Sequence, residues 1–288
     1  MLSRLSSTTK SPAVRQRRLG RELRRLREQA KLTPEEAARR LGWSRPKLNR
    51  IENARISVTP SAVADACDLY GVDFSTKAEL VQLCKDAAVR GWWSAYSDVF
   101  TGCYITLETE ATAVRTWEPI LIPGLLQSEE YAREIIRATR PELTKTQLDR
   151  HVSARMTRKV SLLGSGASTL HALVDEAALR RPVGSPGLMA RQLNDLLQIA
   201  DWSNITLQVL PLAAGAHGGV EGAFSVLSFD EEEPDVGYTE CPSGDVYVEA
   251  ADQILRLTLT FERLRSACLS PEKSAALIAA VRSSHDLP

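Results

Sequence analysis

Two polar side chains at the start of a predicted helix, Arg45 and Asn49, have the chemistry needed to read DNA bases. They are four residues apart, so a helix brings them to one face. An arginine can form two hydrogen bonds with guanine O6 and N7, and an asparagine can do the same with adenine N6 and N7. Pro46 offers an apolar contact for a thymine methyl group. We therefore predict that Arg45, Pro46 and Asn49 read bases.

The side chains around these three residues are suited to the phosphate backbone. Phosphate contacts position a protein on DNA but carry no sequence information. The predicted phosphate-binding residues are Arg39, Arg40, Ser44, Lys47, Arg50 and Arg55. Glu52 would be repelled by DNA, and we expect it to orient a neighbouring arginine or to bind a backbone amide. Each arginine taken singly fits a solvated helix face, and it is the combination of charge and helix signals that favours DNA.

Capping signals place the helices that carry these residues. Thr33, Pro34 and Glu36 form a predicted capping box with proline at the first helical position. Gly42 is expected to end this helix and make the turn. Ser44 is the predicted cap of the following helix. The pattern is that of a helix-turn-helix, whose second helix enters the major groove.

The surrounding helices complete a first domain. Leu48 and Ile51 are the predicted core contacts of the second helix in the pair. Further helices are predicted from near Ala13 to Ala30, after Thr59 and after Ser75. We therefore expect an all-α bundle of five helices over residues 13–90, preceded by a flexible basic arm at residues 1–12.

The remaining residues, 91–288, have a different pattern. Strands are predicted at residues 112–122, 204–211, 223–229 and 245–250, with helical patterns between several of them. We predict an α+β domain with a mainly antiparallel sheet, and assign it a role in regulation and dimerisation.

Charge is divided between these regions. Residues 1–60 hold 16 Lys and Arg against 5 Asp and Glu, a net charge of +11. Because the whole chain is neutral, the other residues carry −11. This asymmetry is typical of a basic module with a polyanionic partner, joined to an acidic body that does not bind that partner.

The sequence lacks the motifs typical of metal sites, membrane spans and common catalytic sites. The five cysteines are dispersed without C-x-x-C spacing, which predicts neither a metal site nor disulfides and fits a reducing cytoplasm. A DNA-binding protein of the cytoplasm is expected on the nucleoid. No apolar run reaches the roughly 20 residues that span a bilayer. Neither G-x-S-x-G nor H-E-x-x-H occurs. We therefore expect no enzymatic activity, no cofactor and no membrane contact.

One glycine-rich segment, residues 214–222, has two interpretations. Its glycines let the backbone approach a ligand or partner, and His217 can titrate, so His217, Gly218 and Gly219 form a candidate binding loop. The alternative is a structural connection between two predicted strands, which we favour because a glycine run outside a strand-loop-helix context is a weak signal.

The stretch LTPEEAARRLGWSRPKLNRIENAR resembles the XRE/Cro-type helix-turn-helix, in which a central glycine and an R-I-E-x-G pattern recur. Ala54 stands where that family usually has glycine. A left-handed backbone at this position costs an alanine about 1 kcal/mol. We therefore expect a different conformation of the loop that leads to Arg55.

The second domain also carries a resemblance. The stretches RTWEPILIPGLLQSEEYARE and FERLRSACLSPEKSAALI, among others, resemble the C-terminal domain of WhiJ-like, antitoxin-like XRE regulators of actinobacteria. That group has no established catalytic role for this domain, and its genes commonly lie beside one for a small acidic protein. The resemblance implies a transcriptional regulator.

Together these features predict a sequence-specific regulator that binds double-stranded DNA. We expect a homodimer on an inverted-repeat operator, because one helix-turn-helix reads one half-site. The second domain would sense a small-molecule effector or a partner protein. The alternatives are an antitoxin-like protein that sequesters a small acidic partner, and an enzyme tethered to DNA.

Overall fold

The chain folds as two compact units, Met1–Ala95 and Tyr96–Pro288. The computed structural model describes residues 12–87, 92–100, 104–162, 167–229, 233–241 and 244–285. The predicted basic arm, apart from Pro12, lies outside the described residues. Within these ranges no helix is both long enough and apolar enough to cross a membrane.

The first unit is helical. Its described helices are α1 (Pro12–Gln29), α2 (Pro34–Arg40), α3 (Arg45–Glu52), α4 (Pro60–Tyr70) and α5 (Phe74–Ala87). Their apolar faces meet in one core, in which Leu23 of α1, Leu48 and Ile51 of α3 and Val63 of α4 are each no more than 2% exposed. The predicted inward positions of α3, Leu48 and Ile51, are therefore confirmed.

A buried ion pair fastens α3 to α1. Two nitrogens of the Arg27 guanidinium donate to the Glu52 carboxylate at 2.7 and 3.0 Å, and a third donates to the Leu32 carbonyl at 2.9 Å. Both charged side chains are only 6% exposed. The hydrogen bond to Glu52 raises the pKa of Arg27 above its usual value. Glu52 thus orients an arginine, as its position in the sequence predicted.

The second unit contains both helices and strands. Its described helices are α6 (Tyr104–Glu110), α7 (Glu129–Thr139), α8 (Lys145–Arg158), α9 (Glu176–Arg180), α10 (Pro186–Ile199), α11 (Ala251–Ala267) and α12 (Pro271–His285). Its described strands are β1 (Ala113–Glu118), β2 (Thr169–Asp175), β3 (Ile205–Leu210), β4 (Phe224–Ser228), β5 (Val236–Cys241) and β6 (Gly244–Val248).

The described strands form one mixed sheet, so the prediction of a mainly antiparallel sheet is wrong. The strand order is β3-β2-β1-β4-β5-β6. β1 and β3 both pair in parallel with β2, whereas the remaining pairs are antiparallel. Helices α7 and α8 lie between β1 and β2 in the chain, and α9 and α10 lie between β2 and β3. A helical crossover returns the chain to the end of the sheet where it started, so the joined strands run parallel.

Helices cover both faces of this sheet. A methyl group added at Gly237 of β5 would lie 2.5 Å from Leu257 and 3.4 Å from Ile254, both on α11. The next residue, Tyr238, points to the opposite face. There its ring stacks on Tyr104 of α6 with 3.9 Å between the centroids. The sheet is therefore the middle layer of the second unit.

The buried pair gives a direct test of what holds α3. We expect Glu52→Gln to lower the free energy of unfolding of the first unit by about 3–5 kcal/mol, because it leaves the Arg27 charge buried without a carboxylate. Hydrogen exchange at the Leu48 and Ile51 amides measures this. The matched control, Glu22→Gln, removes a partner of the exposed Arg25 and should change the same quantity by less than about 0.5 kcal/mol. Equal effects of the two variants would contradict the assigned role.

Candidate nucleic-acid interface

The turn between α2 and α3 follows from its capping residues. The Thr33 hydroxyl accepts from the Glu36 amide at 3.2 Å, and the Ser44 hydroxyl accepts from the Lys47 amide at 3.3 Å. Gly42, with a φ of 67°, makes the left-handed turn. The predicted capping box is formed on one side, since the Glu36 carboxylate binds Arg40. These caps set where α3 starts and therefore which side chains lie at its exposed end.

A glycine lets α1 approach the end of α3. A methyl group added at Gly20 would lie 2.7 Å from the carbonyl oxygen of Glu52 and 2.8 Å from that of Ile51. Cβ atoms do not tolerate such contacts with backbone, so only glycine fits here. Together with the Arg27–Glu52 pair, this approach fixes the buried side of α3 and leaves the opposite side facing solvent.

The nine predicted DNA-contacting side chains are all exposed. They are Arg39, Arg40, Ser44, Arg45, Pro46, Lys47, Asn49, Arg50 and Arg55. Arg39 and Arg40 lie on α2, and Arg55 follows α3, so a single helix pair presents all nine. This is the surface that a helix-turn-helix needs to press on phosphates and reach base edges.

Several of these side chains have partners within the protein. The Arg45 guanidinium binds the Glu35 carboxylate at 2.8 Å, with 67% and 56% of the two side chains exposed. The Lys47 ammonium lies 5.0 Å from the centre of the Trp43 ring. Contacts as exposed as these contribute at most about 1 kcal/mol each. DNA can therefore replace them.

Arg45 and Asn49 line one small hollow beside α3. It has a volume of about 160 Å³ and is also lined by Arg24, Asn53 and the buried ion pair. The Asn53 amide group donates to the Asn49 backbone carbonyl at 2.8 Å and to its side-chain oxygen. The structure thus brings Arg45 and Asn49, the two main base-reading candidates, together. The Arg27–Glu52 pair, which holds α3 against α1, lines the same hollow.

Arg24 and Asn53 were not among the predicted contacts. Arg24 is exposed and donates to Glu28 at 2.9 Å. It lies three residues before Arg27 on α1, so a helix puts both on neighbouring positions of one face. The spacing of Arg24 and Arg27 can be read from the sequence, whereas the face of α1 that packs against α3 cannot.

Ala54 adopts the left-handed conformation that the family's glycine would adopt, so the expectation of a different loop conformation is wrong. Its φ is 54°. The Arg55 amide donates to the Arg50 carbonyl at 2.7 Å, and the Gln16 side chain donates to the Ala54 carbonyl at 3.1 Å. These bonds close the end of α3 and offset the strain that a Cβ brings to this conformation.

The candidate loop at residues 214–222 is tied into the second unit. The Trp117 indole donates to the Gly219 carbonyl at 2.8 Å, and a methyl group at Gly219 would lie 2.4 Å from the same indole nitrogen. The Gly219 amide donates to His217 Nδ1 at 3.2 Å, while Nε2 lies 3.6 Å from the Asp175 carboxylate. Both ring nitrogens therefore face partners within the chain. These contacts give His217 and Gly219 a packing role, and Gly218 lies against Thr260 of α11.

The conformation of Ala54 generates a prediction. We expect Ala54→Gly to raise the free energy of unfolding by about 0.5 kcal/mol, because relief of about 1 kcal/mol of strain exceeds the added entropy of the unfolded chain. Ala62→Gly, in a helical position of α4, is the matched control and should lower it by about 0.5–1 kcal/mol. Denaturant unfolding measures both, and a fall in stability for both variants would contradict the left-handed assignment.

Two known families match the chain. A helix-turn-helix domain matches residues 18–80, which include α2, α3 and the hollow, and it indicates a DNA-binding protein. A domain of unknown function, DUF5753, matches residues 102–280. Neither a curated protein nor a solved structure matches. Because the second match covers more than half of the 288 residues, the chain belongs to the DUF5753 family and carries a helix-turn-helix domain ahead of the family's domain.

Proposed function

We propose that the protein is a sequence-specific regulator of transcription that reads DNA with α3. The observation that carries this proposal is the hollow where Arg45 and Asn49 lie together, exposed, above the buried Arg27–Glu52 pair. Arginine and asparagine are the side chains that form paired hydrogen bonds with guanine and adenine. The buried pair holds α3 in place, so the two side chains keep the same position from one DNA site to another.

The charge distribution supports the same proposal. The first 60 residues carry +11 and the rest carry −11. Arg39, Arg40, Lys47, Arg50 and Arg55 are assigned to phosphates, with the Ser44 hydroxyl as a further donor. The acidic second domain is repelled by DNA, so it keeps contact confined to the basic unit.

We further propose a homodimer, in which the DUF5753 domain mediates pairing and senses a small-molecule effector or a small acidic protein. A two-fold dimer reads two half-sites, which doubles the length of DNA sequence recognised, and its symmetry matches that of an inverted repeat. In this proposal the protein works in the cytoplasm, which its dispersed cysteines fit, and on the nucleoid, where its DNA sites lie. An antitoxin-like function, in which the second domain chiefly sequesters its partner, is the alternative. The proposal includes no catalytic step and no cofactor.

Selection of bound duplexes from a random DNA pool tests the function. We expect an enriched inverted repeat whose half-sites have centres roughly 34 Å, or a multiple of 34 Å, apart. Genome-wide occupancy in the source cells should then return the same motif. No enrichment of any sequence over the input pool would contradict sequence-specific binding, and enrichment of a lone half-site would contradict the two-fold arrangement.

Two arginines of α3 should differ in their effects. We expect Arg45→Ala to lose about 1–3 kcal/mol of discrimination at one position of each half-site. Arg50→Ala should weaken all sequences alike and reduce the slope of log affinity against log salt by about 1 per half-site. Titration of the selected duplex and its single-base variants at several salt concentrations measures both. Arg191→Ala, an exposed arginine on α10, is the control and should change neither. An unchanged motif and salt slope for both α3 variants would show that another face binds DNA.

A further inference from the structure

Helix α11 carries large apolar side chains on its outer face as well as its inner one. Phe261 and Leu264 are buried under the sheet, with at most 1% exposed. On the other side, Leu255 and Leu259 are 58% and 47% exposed. Leucines four residues apart share one face of a helix. A surface helix of a lone domain has polar residues there, so this outward stripe indicates a contact surface.

The stripe is bordered by charges of opposite sign at its two ends. Asp252 lies in the first turn of α11, and Arg263 lies eleven residues later, near the other end. At 100° per residue both fall on the face that carries the two leucines, and both are exposed. The stripe between them spans about 16 Å along the helix. Arg256 near the acidic end and Glu262 near the basic end lie at the margins of this face, and Glu262 is paired with Arg265 at 2.7 Å. Asp252 and Arg263 are therefore the charges that an inverted copy of the face would bring together.

An apolar side chain extends this surface onto a neighbouring element. Val246 is 45% exposed on β6, which is the last strand in the sheet order. Val248, two residues on, lies against Gly237 on the face that α11 covers, so the alternation of a strand puts Val246 on that face too. The strand edge thus adds to the helix.

We propose that α11 is the dimer interface, in which it packs antiparallel against α11 of a second copy around a two-fold axis. This places Leu255 of one chain against the partner's Leu259, and Asp252 beside the partner's Arg263. A parallel pairing would set Asp252 against Asp252 and Arg263 against Arg263, and like charges in contact are unfavourable. An isologous contact needs only one surface, which contacts itself. The inference rests on the homodimer of the proposed function and assigns its surface.

Light scattering on the full chain at micromolar concentration tests the surface. We expect the wild type to have twice the chain mass of 31.7 kDa. Leu255→Glu with Leu259→Glu should have the mass of one chain, because each dimer would bury four carboxylates without partners. Leu212→Glu is the matched control, since Leu212 is another exposed leucine of the same unit, and it should remain dimeric. A dimeric double variant, or a monomeric wild type, would overturn the inference.

Charge exchange tests the antiparallel arrangement. Asp252→Arg and Arg263→Asp should each weaken the dimer by about tenfold or more, because each sets like charges together. The two substitutions combined should restore it, since the pair then forms with its charges exchanged. Weakened single variants without restoration would overturn the antiparallel pairing.

Duplex selection with the same samples separates this inference from the proposed function. A dimeric wild type that enriches no sequence contradicts sequence reading and leaves the α11 surface standing. An enriched inverted repeat with a double leucine variant that stays dimeric contradicts the α11 surface and leaves sequence reading standing.

Discussion

The bidentate pair between Arg27 and Glu52 is the constraint on which the exposed surface of α2 and α3 depends. A charge buried to this extent is stable only with its partner in place, so the pair allows one register of α3 against α1. Gly20 removes the Cβ that would hold the two helices apart. With its inner side fixed in this way, the exposed side of α3 is free of any packing role and carries mostly polar side chains. The same short helix therefore has a fixed buried side and an exposed side whose side chains can change partners.

Much of this unit could be predicted from sequence because its determinants are local. The caps at Thr33 and Ser44 and the inward leucine and isoleucine of α3 all follow from spacing within a few residues. Ala54 shows the limit of that reasoning. Its intrinsic preference opposes a left-handed backbone, but a hydrogen bond from the Gln16 side chain on α1 to the Ala54 carbonyl helps to hold it there. That bond depends on where α1 lies, which local spacing does not determine.

The second unit shows the same limit on a larger scale. Four of its six described strands were predicted from the sequence, whereas β2, β5 and the pairing of the strands were not. Four helices lie in the two connections between β1 and β3, and such crossovers dictate parallel strands. The helical patterns before β2 and β3 were therefore the available signal for a mixed sheet. His217 and Gly219 pack against Trp117, which lies about 100 positions before them in the chain. No rule of local spacing connects residues so far apart.

The ion pair between Arg45 and Glu35 bears on how strictly α3 would choose among bases. In the protein alone the guanidinium already has a carboxylate partner, so a base must compete with that carboxylate. Guanine offers two acceptors in the major groove and can compete, whereas a base edge with a donor cannot. At a site without guanine Arg45 would stay with Glu35, and the arginine would add little to binding. The carboxylate would thus act as an internal competitor: it would lower affinity at the right base by the energy of the exposed pair, at most about 1 kcal/mol, and would leave affinity at other bases almost unchanged.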